Sequence, residues 1–247
     1  MVDALGYRKK FGVIAPSTNT IVGPDFHTMA VPGVTPHVSR IHIHNPDLSS
    51  DDRMLELLEQ IRGEIFLAVD RVLTAKVDYL VMGMSAETFW GGKEGGRKFI
   101  EAIEQHSGLK VASGSAACEA ALRAVGAKRV AVLTPYQAIA DTQVRTYFGD
   151  IGVEVIRLHA LRCPSATSIA EVSEAKLRSL LQELDGDDID AIVQVGTNLS
   201  MLRLADEAER WLDKPVIAIN AATWWHALRQ NDITDQMSGF GCLLRDH

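Results

Sequence analysis

Val77-Asp78-Tyr79-Leu80-Val81-Met82-Gly83-Met84-Ser85 and Ile189-Asp190-Ala191-Ile192-Val193-Gln194-Val195-Gly196-Thr197 are two versions of one segment, a nearly continuous apolar run ending in small and polar residues. Two further pairs occur in the same order. Lys10-Phe11-Gly12-Val13-Ile14-Ala15-Pro16-Ser17 resembles Arg129-Val130-Ala131-Val132-Leu133-Thr134-Pro135-Tyr136, and Leu109-Lys110-Val111-Ala112-Ser113 resembles Lys214-Pro215-Val216-Ile217-Ala218. Matched segments in one order, with spacings that drift by a few residues, are what a duplicated unit leaves after loop insertions and deletions.

Apolar runs of this kind fit parallel strands buried on both faces. The predicted strands are 11–15, 37–43, 79–82, 110–112, 129–133, 154–158, 191–195 and 216–219. Helical patterns lie between them. Met54, Leu57, Leu58, Ile61, Ile65, Val69 and Leu73 recur at spacings of three and four over 51–73. Further helices are expected at 116–125 (capped by Ser113 or Ser115 and stopped by Gly126), 173–184, 202–212 and 222–228. Strands alternating with helices call for parallel sheets with right-handed crossovers. The expected fold is therefore α/β, with two pseudo-symmetric lobes, each a four-stranded parallel sheet flanked by helices. One lobe takes 1–115 with 223–247, the other 116–222. Open parallel sheets bind ligands at the carboxyl ends of their strands. This directs attention to Pro16–Thr20, Gly83–Thr88, Pro135–Ala138 and Gly196–Ser200, and places the active site between the lobes.

The 247 residues carry 25 Lys+Arg against 32 Asp+Glu, a net charge of −7. That balance opposes a phosphate-backbone binder, which needs clustered cations, but not a small anion held by a few aimed donors. No apolar run approaches the roughly 20 residues that span a bilayer, and the first ten residues lack a signal-peptide core. Cys118, Cys163 and Cys242 stand in no metal-ligand spacing, so a reducing cytoplasm is the expected compartment. The expected partner is a small carboxylate, with no nucleic acid and no membrane; self-association is compatible with the composition.

Four loops carry a family resemblance. Pro16-Ser17-Thr18-Asn19-Thr20 is similar to the Pro-Ser-Ser-Asn-Thr loop of bacterial maleate cis–trans isomerases, and Gly196-Thr197-Asn198-Leu199 to their Cys-Thr-Asn-Leu loop. Val81-Met82-Gly83-Met84-Ser85, followed by Phe89-Trp90-Gly91, resembles arylmalonate decarboxylase, and Thr134-Pro135-Tyr136 matches a Tyr-bearing loop of both. The resemblance places the chain in the aspartate/glutamate racemase superfamily, in its maleate isomerase and arylmalonate decarboxylase branch. It implies an enzyme with no metal or cofactor. It also implies a cysteine in one or both lobes, yet here the two positions are Gly83 and Gly196. No thiolate is expected where that family has its nucleophile.

What remains is a set of carboxylate donors. Stabilising an enolate or enediolate needs donors aimed at both carboxylate oxygens. Asn19, Ser85, Tyr136, Thr197 and Asn198 offer side-chain donors; Ser17, Gly83, Met84 and Gly196 complete the binding loops. Asn19 and Asn198 equally suit plain capping of loops and helices. Tyr136 reads as a hydrogen-bond donor rather than an acid, since free tyrosine titrates near ~10. Glu87, the only acidic side chain of the first-lobe loop, can protonate a carbanion or activate water, or simply sit at a helix start. Phe89, Trp90 and Gly91-Gly92 suit either a wall or flap of the site, or core packing. Cys163 is a candidate displaced thiol, whereas Cys118 and Cys242 read as packing residues. His42 and His44 read as a solvated strand end.

The leading expectation is a cofactor-independent isomerase or decarboxylase acting on a small mono- or dicarboxylate through an enediolate-like intermediate, with Tyr136, Glu87 and Asn19 as its catalytic residues. The alternatives are a hydrolase using Glu87-activated water at the same oxyanion site, and a non-catalytic carboxylate binder. A cysteine restored at position 196 is expected to produce isomerase or proton-exchange activity if the pocket keeps the family geometry.

Overall fold

The computed structural model describes residues 3–247. The first sheet is built from β1 (Lys9–Pro16), β2 (Val34–Ile41), β3 (Tyr79–Met82) and β4 (Val111–Ala112), in the order β2-β1-β3-β4 and all parallel. Its helices are α1 (Val22–Thr28), α2 (Asp51–Leu73), α3 (Ala86–Phe89) and α4 (Gly92–Ser107). The crossing helix α5 (Gly114–Val125) leads to β5 (Arg129–Thr134), α6 (Ala138–Asp150), β6 (Glu154–Ala160), α7 (Glu174–Leu184), β7 (Ala191–Gln194), α8 (Leu202–Leu212), β8 (Val216–Ala218), α9 (Ile219–Arg229) and α10 (Cys242–Asp246). The second sheet repeats the first, in the order β6-β5-β7-β8.

The repeat extends to individual hydrogen bonds. Asp78 accepts the Lys10 N–H at 2.8 Å, and Asp190 accepts the Arg129 N–H at 2.8 Å, each fixing the start of a central strand pair. Glu104 and Glu209 each accept an edge-strand N–H, from Val111 and Val216, both at 3.3 Å. Central strands β1, β3, β5 and β7 are buried on both faces, which explains their unbroken apolar sequence.

Helix ends follow side-chain chemistry. Ser50, Ser113 and Ser173 cap α2, α5 and α7 by accepting the N–H groups of Arg53, Ala116 and Lys176, and Gly126 closes α5 in the left-handed region. The second strand begins three residues before its predicted start and ends at Ile41, so His42 and His44 lie outside it, their rings 4.6 Å apart. Strand β8 runs directly into α9, which starts at Ile219 rather than at 222. Trp224 of α9 packs on Phe11 and Phe26 and donates its indole N–H to the Met29 carbonyl at 2.7 Å, so this helix rests on the first lobe's core.

Helices α1, α3, α4, α6 and α10 lie outside the predicted elements. Two glycine pairs interrupt the apolar pattern around α4. In the fold Gly91 and Gly92 take φ of 75° and 66°, and a Cβ on Gly95 or Gly96 would run into the Trp90 or Thr88 carbonyl. The glycines let this helix pack against the preceding turn. Phe89 is fully buried against Tyr147 and Phe148, so core packing accounts for it.

Candidate active site

The loops after β1, β3, β5 and β7 meet in one cleft of about 670 Å³, part of it open to solvent. Asn19, Met84, Ser85, Glu87, Tyr136, Gly196, Thr197 and Asn198 all line it. Two side-chain bonds cross between the lobes and mirror each other. The Ser85 and Tyr136 hydroxyls meet at 2.6 Å, and Asn19 Nδ2 donates to Thr197 Oγ1 at 3.0 Å. Thr197 Oγ1 in turn donates to the Gly83 carbonyl at 3.2 Å. Ser85 and Thr197 occupy matching places in the repeat, so each lobe reaches across with the same position.

Two predicted binding residues are placed otherwise. Ser17 is absent from the lining, because its hydroxyl accepts the Ile43 N–H at 3.0 Å and ties down the loop after β2. Gly83 also stands behind the wall, its N–H donated to the Ile14 carbonyl at 2.7 Å. Asn198 lines the cleft, but its amide is committed to joining the lobes. Its Oδ1 accepts the Thr20 N–H at 3.0 Å, while Nδ2 donates to the Ala166 carbonyl at 2.9 Å. Asn19 combines both readings: Oδ1 accepts the N–H groups of Ile21 and Val22 at the start of α1, leaving Nδ2 for Thr197 and the cleft.

The backbone supplies further donors. Among the described residues, the N–H groups of Met84, Ser85, Gly196, Thr197 and Asn198 make no hydrogen bond within the chain. They are amides at strand ends on the wall of a cleft, an arrangement suited to anions.

Electrostatics sort the polar side chains. Tyr136 is buried, and desolvation pushes its pKa above the ordinary tyrosine range, so it is a neutral donor. Its loop is braced from behind: Arg162 donates to the Tyr136 carbonyl at 2.6 Å and to Asp141 at 2.5 Å. Glu87 is 4% exposed. Burial raises its pKa, while Arg62, donating to Oε1 at 2.7 Å, opposes that rise. Glu87 Oε2 is buried without a partner.

Several wall residues were missed as such. Leu48, Met54, Leu57 and Ile61 face the cleft from the loop after β2 and from α2, and Ala166 and Ile169 do so from the segment after β6. The α2 residues were legible as a helical stripe, but a stripe does not say whether it faces a core or a cavity. Cys163 lines the cleft as well, and burial raises its thiol pKa to about 11. The two covering segments are clasped together. Leu48 N–H donates to the Pro164 carbonyl at 2.7 Å, Asn45 Nδ2 donates to Thr167 Oγ1 at 3.1 Å, and Thr167 N–H returns to Asn45 Oδ1 at 3.2 Å.

The fold and cleft define a class: two duplicated parallel α/β lobes that enclose a largely apolar cleft edged by backbone amides without partners among the described residues. Within that class the chain belongs to the arylmalonate decarboxylase family, whose model matches residues 67–244. It is 24% identical to a maleate isomerase from Pseudomonas putida over 241 residues, covering 95% of this chain and 96% of the other. Among solved structures it is similar to the Nocardia farcinica maleate cis–trans isomerase carrying a covalently bound succinylcysteine intermediate (TM-score 0.87, 23% identity, 97% of this chain and 99% of that one). It is also similar to arylmalonate decarboxylase (TM-score 0.76, 20% identity, 95% and 98% covered). The relatives named here are isomerases and decarboxylases, and the solved ones share this fold. No helix among the described residues is long and apolar enough to cross a membrane.

Proposed function

We propose that this chain is a cofactor-independent enzyme that decarboxylates a small acid bearing two carboxylates on one carbon, through an enediolate held on the cleft floor. The observation that carries the reading is the convergence of Asn19, Ser85, Tyr136 and the unspent N–H groups of Thr197 and Asn198 on one cavity. One carboxylate rests on these donors. The other points toward Leu48, Leu57, Ile61 and Ile169, where an anion is poorly solvated and neutral carbon dioxide is not.

The carbon–carbon bond breaks, carbon dioxide leaves, and the electron pair passes into the retained carboxylate. The charge that develops there is met by the floor amides and by the free hydrogen of the Ser85–Tyr136 hydroxyl pair. Glu87 then gives its proton to the carbon and regains one from solvent. Burial favours its protonated form, and Oε2 has no other partner. Isomerisation through thiolate addition fits less well, since Gly83 and Gly196 bring no nucleophile and the Cys163 thiol is held protonated.

The test is incubation with malonate, phenylmalonate, maleate, maleamate and unsaturated lactones in deuterated buffer, followed by NMR. Carbon dioxide release with one carbon-bound deuterium supports the reading. Hydrolysis without exchange favours water activation by Glu87, and binding without turnover favours a carboxylate receptor.

A further inference from the structure

Besides Asn19, three buried carboxamides meet at the second-lobe loop, and of these only Asn198 lines the cleft. The other two are Gln194, the last residue of β7 and 1% exposed, and Asn220, in the first turn of α9 and 3% exposed. Gln194 Nε2 donates to the Gly196 carbonyl at 2.8 Å. Asn220 Nδ2 donates to the Thr197 carbonyl at 3.0 Å and to Asp25 Oδ2 at 2.7 Å. These are consecutive carbonyls, each held by a side chain from a different element, and the Gly196 carbonyl also accepts the Leu199 N–H at 3.1 Å.

A trans peptide is planar, with its C=O and N–H pointing in opposite directions. Holding the Gly196 carbonyl therefore sets the direction of the Thr197 N–H, and holding the Thr197 carbonyl sets that of the Asn198 N–H. Those two N–H groups make no other hydrogen bond among the described residues and belong to residues on the cleft wall. The loop needs such bracing because Gly196, at φ 110°, has little conformational preference of its own. Asn220 also keeps a buried Oδ1 without a partner, a cost that a residue serving only packing would avoid.

We propose that Gln194 and Asn220 are positioning residues that aim the Thr197 and Asn198 amides at the bound carboxylate. The inference rests on the carboxylate-binding reading of the cleft. A preorganised donor acts without reorganising when charge develops, so loosening either carbonyl weakens anion binding and the stabilised intermediate together. Asp25 extends the brace into the first lobe through α1, whose start is held by Asn19. The brace thus links donors contributed by both lobes.

The experiment compares the wild-type chain with Gln194→Ala and Asn220→Ala. Phenylmalonate and maleate are titrated against 15N-labelled protein, and the Thr197 and Asn198 amide resonances are followed. In the wild type these two resonances move on saturation. In either folded variant the expected result is at least tenfold weaker binding, with the ligand-induced shift of the amide after the loosened carbonyl reduced more than that of Ser85. Gln194→Met, which keeps the length and has no donor at any pH, shows the same loss. Wild-type binding with variants within twofold overturns the positioning role and leaves the carboxylate reading intact. A wild type with no response at Thr197 and Asn198 to either acid overturns both.

Discussion

The hydroxyls of Ser85 and Tyr136 meet at 2.6 Å across the boundary between the two sheets, one from the end of β3 and one from the end of β5. Two hydroxyls sharing one hydrogen bond leave one O–H free for a ligand. Replacing Tyr136 by Phe removes a donor and strands Ser85. We expect kcat to fall at least tenfold, about 1.4 kcal/mol. Stability should fall by about 1 kcal/mol for a lost buried hydrogen bond. Steady-state kinetics and urea unfolding measure the two; an unchanged kcat would remove Tyr136 from the mechanism.

Glu87 sets activity against stability. Burial raises its pKa, so the folded state disfavours the carboxylate relative to the unfolded chain. The contribution to stability is fully present below the unfolded pKa, near 4.5, and is lost as pH rises through the folded value. Glu87→Gln carries no charge and escapes this loss. Its Tm should exceed the wild type's at pH 8 and approach it at pH 4, while turnover falls at least tenfold. A variant less stable than wild type at pH 8 would show that the Arg62 pair outweighs desolvation.

Much of this architecture was legible beforehand because it rests on local pattern. The apolar spacing from Met54 to Leu73 marks α2 to the residue, and duplicated strand motifs give both sheets. Asn19, Ser85, Tyr136 and Thr197 were legible as cleft residues because open parallel sheets leave their clefts at strand ends. Other features depend on the third dimension. The α2 stripe divides between core and cleft, the Gly95-Gly96 pair serves close packing, and the Ser17 hydroxyl finds a backbone partner 26 positions away. Gln194 and Asn220 sit in apolar runs, where a carboxamide carries no motif; only the partner carbonyls reveal them.

Asp25 gives a second pH signature. Burial raises its pKa from 3.8 to about 6, against the lowering effect of the Asn220 hydrogen bond. Its stabilising contribution is complete below about pH 4 and lost between pH 4 and 6. The size is up to about 3 kcal/mol before solvent screening reduces it. Asp25→Asn cannot ionise and retains an oxygen for Asn220. Thermal melts from pH 4 to 7 should show a smaller fall in stability for the variant than for wild type. Parallel curves would mean that Asp25 titrates normally.

The restored cysteine at position 196 is the sharpest trial of the cleft, and the backbone changes what should be expected of it. Gly196 has φ 110°, a conformation L side chains rarely adopt, and a Cβ there would lie 2.6 Å from both Cγ and Cδ of Pro135. Pro135 cannot swing away as a flexible side chain would, and it precedes Tyr136. A side chain at 196 must therefore shift either its own loop or the one that bears the tyrosine. Backbone strain and overpacking each cost about 1–3 kcal/mol. Gly196→Cys should consequently melt several degrees lower, with weakened carboxylate binding and no isomerase activity. Gly196→Ala should share the stability loss, which separates strain from thiol chemistry. Adding Pro135→Ala should recover part of the Tm in both by removing the contact. If Gly196→Cys instead melts with the wild type and isomerises maleate, the loop adapts to the thiol, and the arrangement of Thr197 and Asn198 described above is not the one that acts.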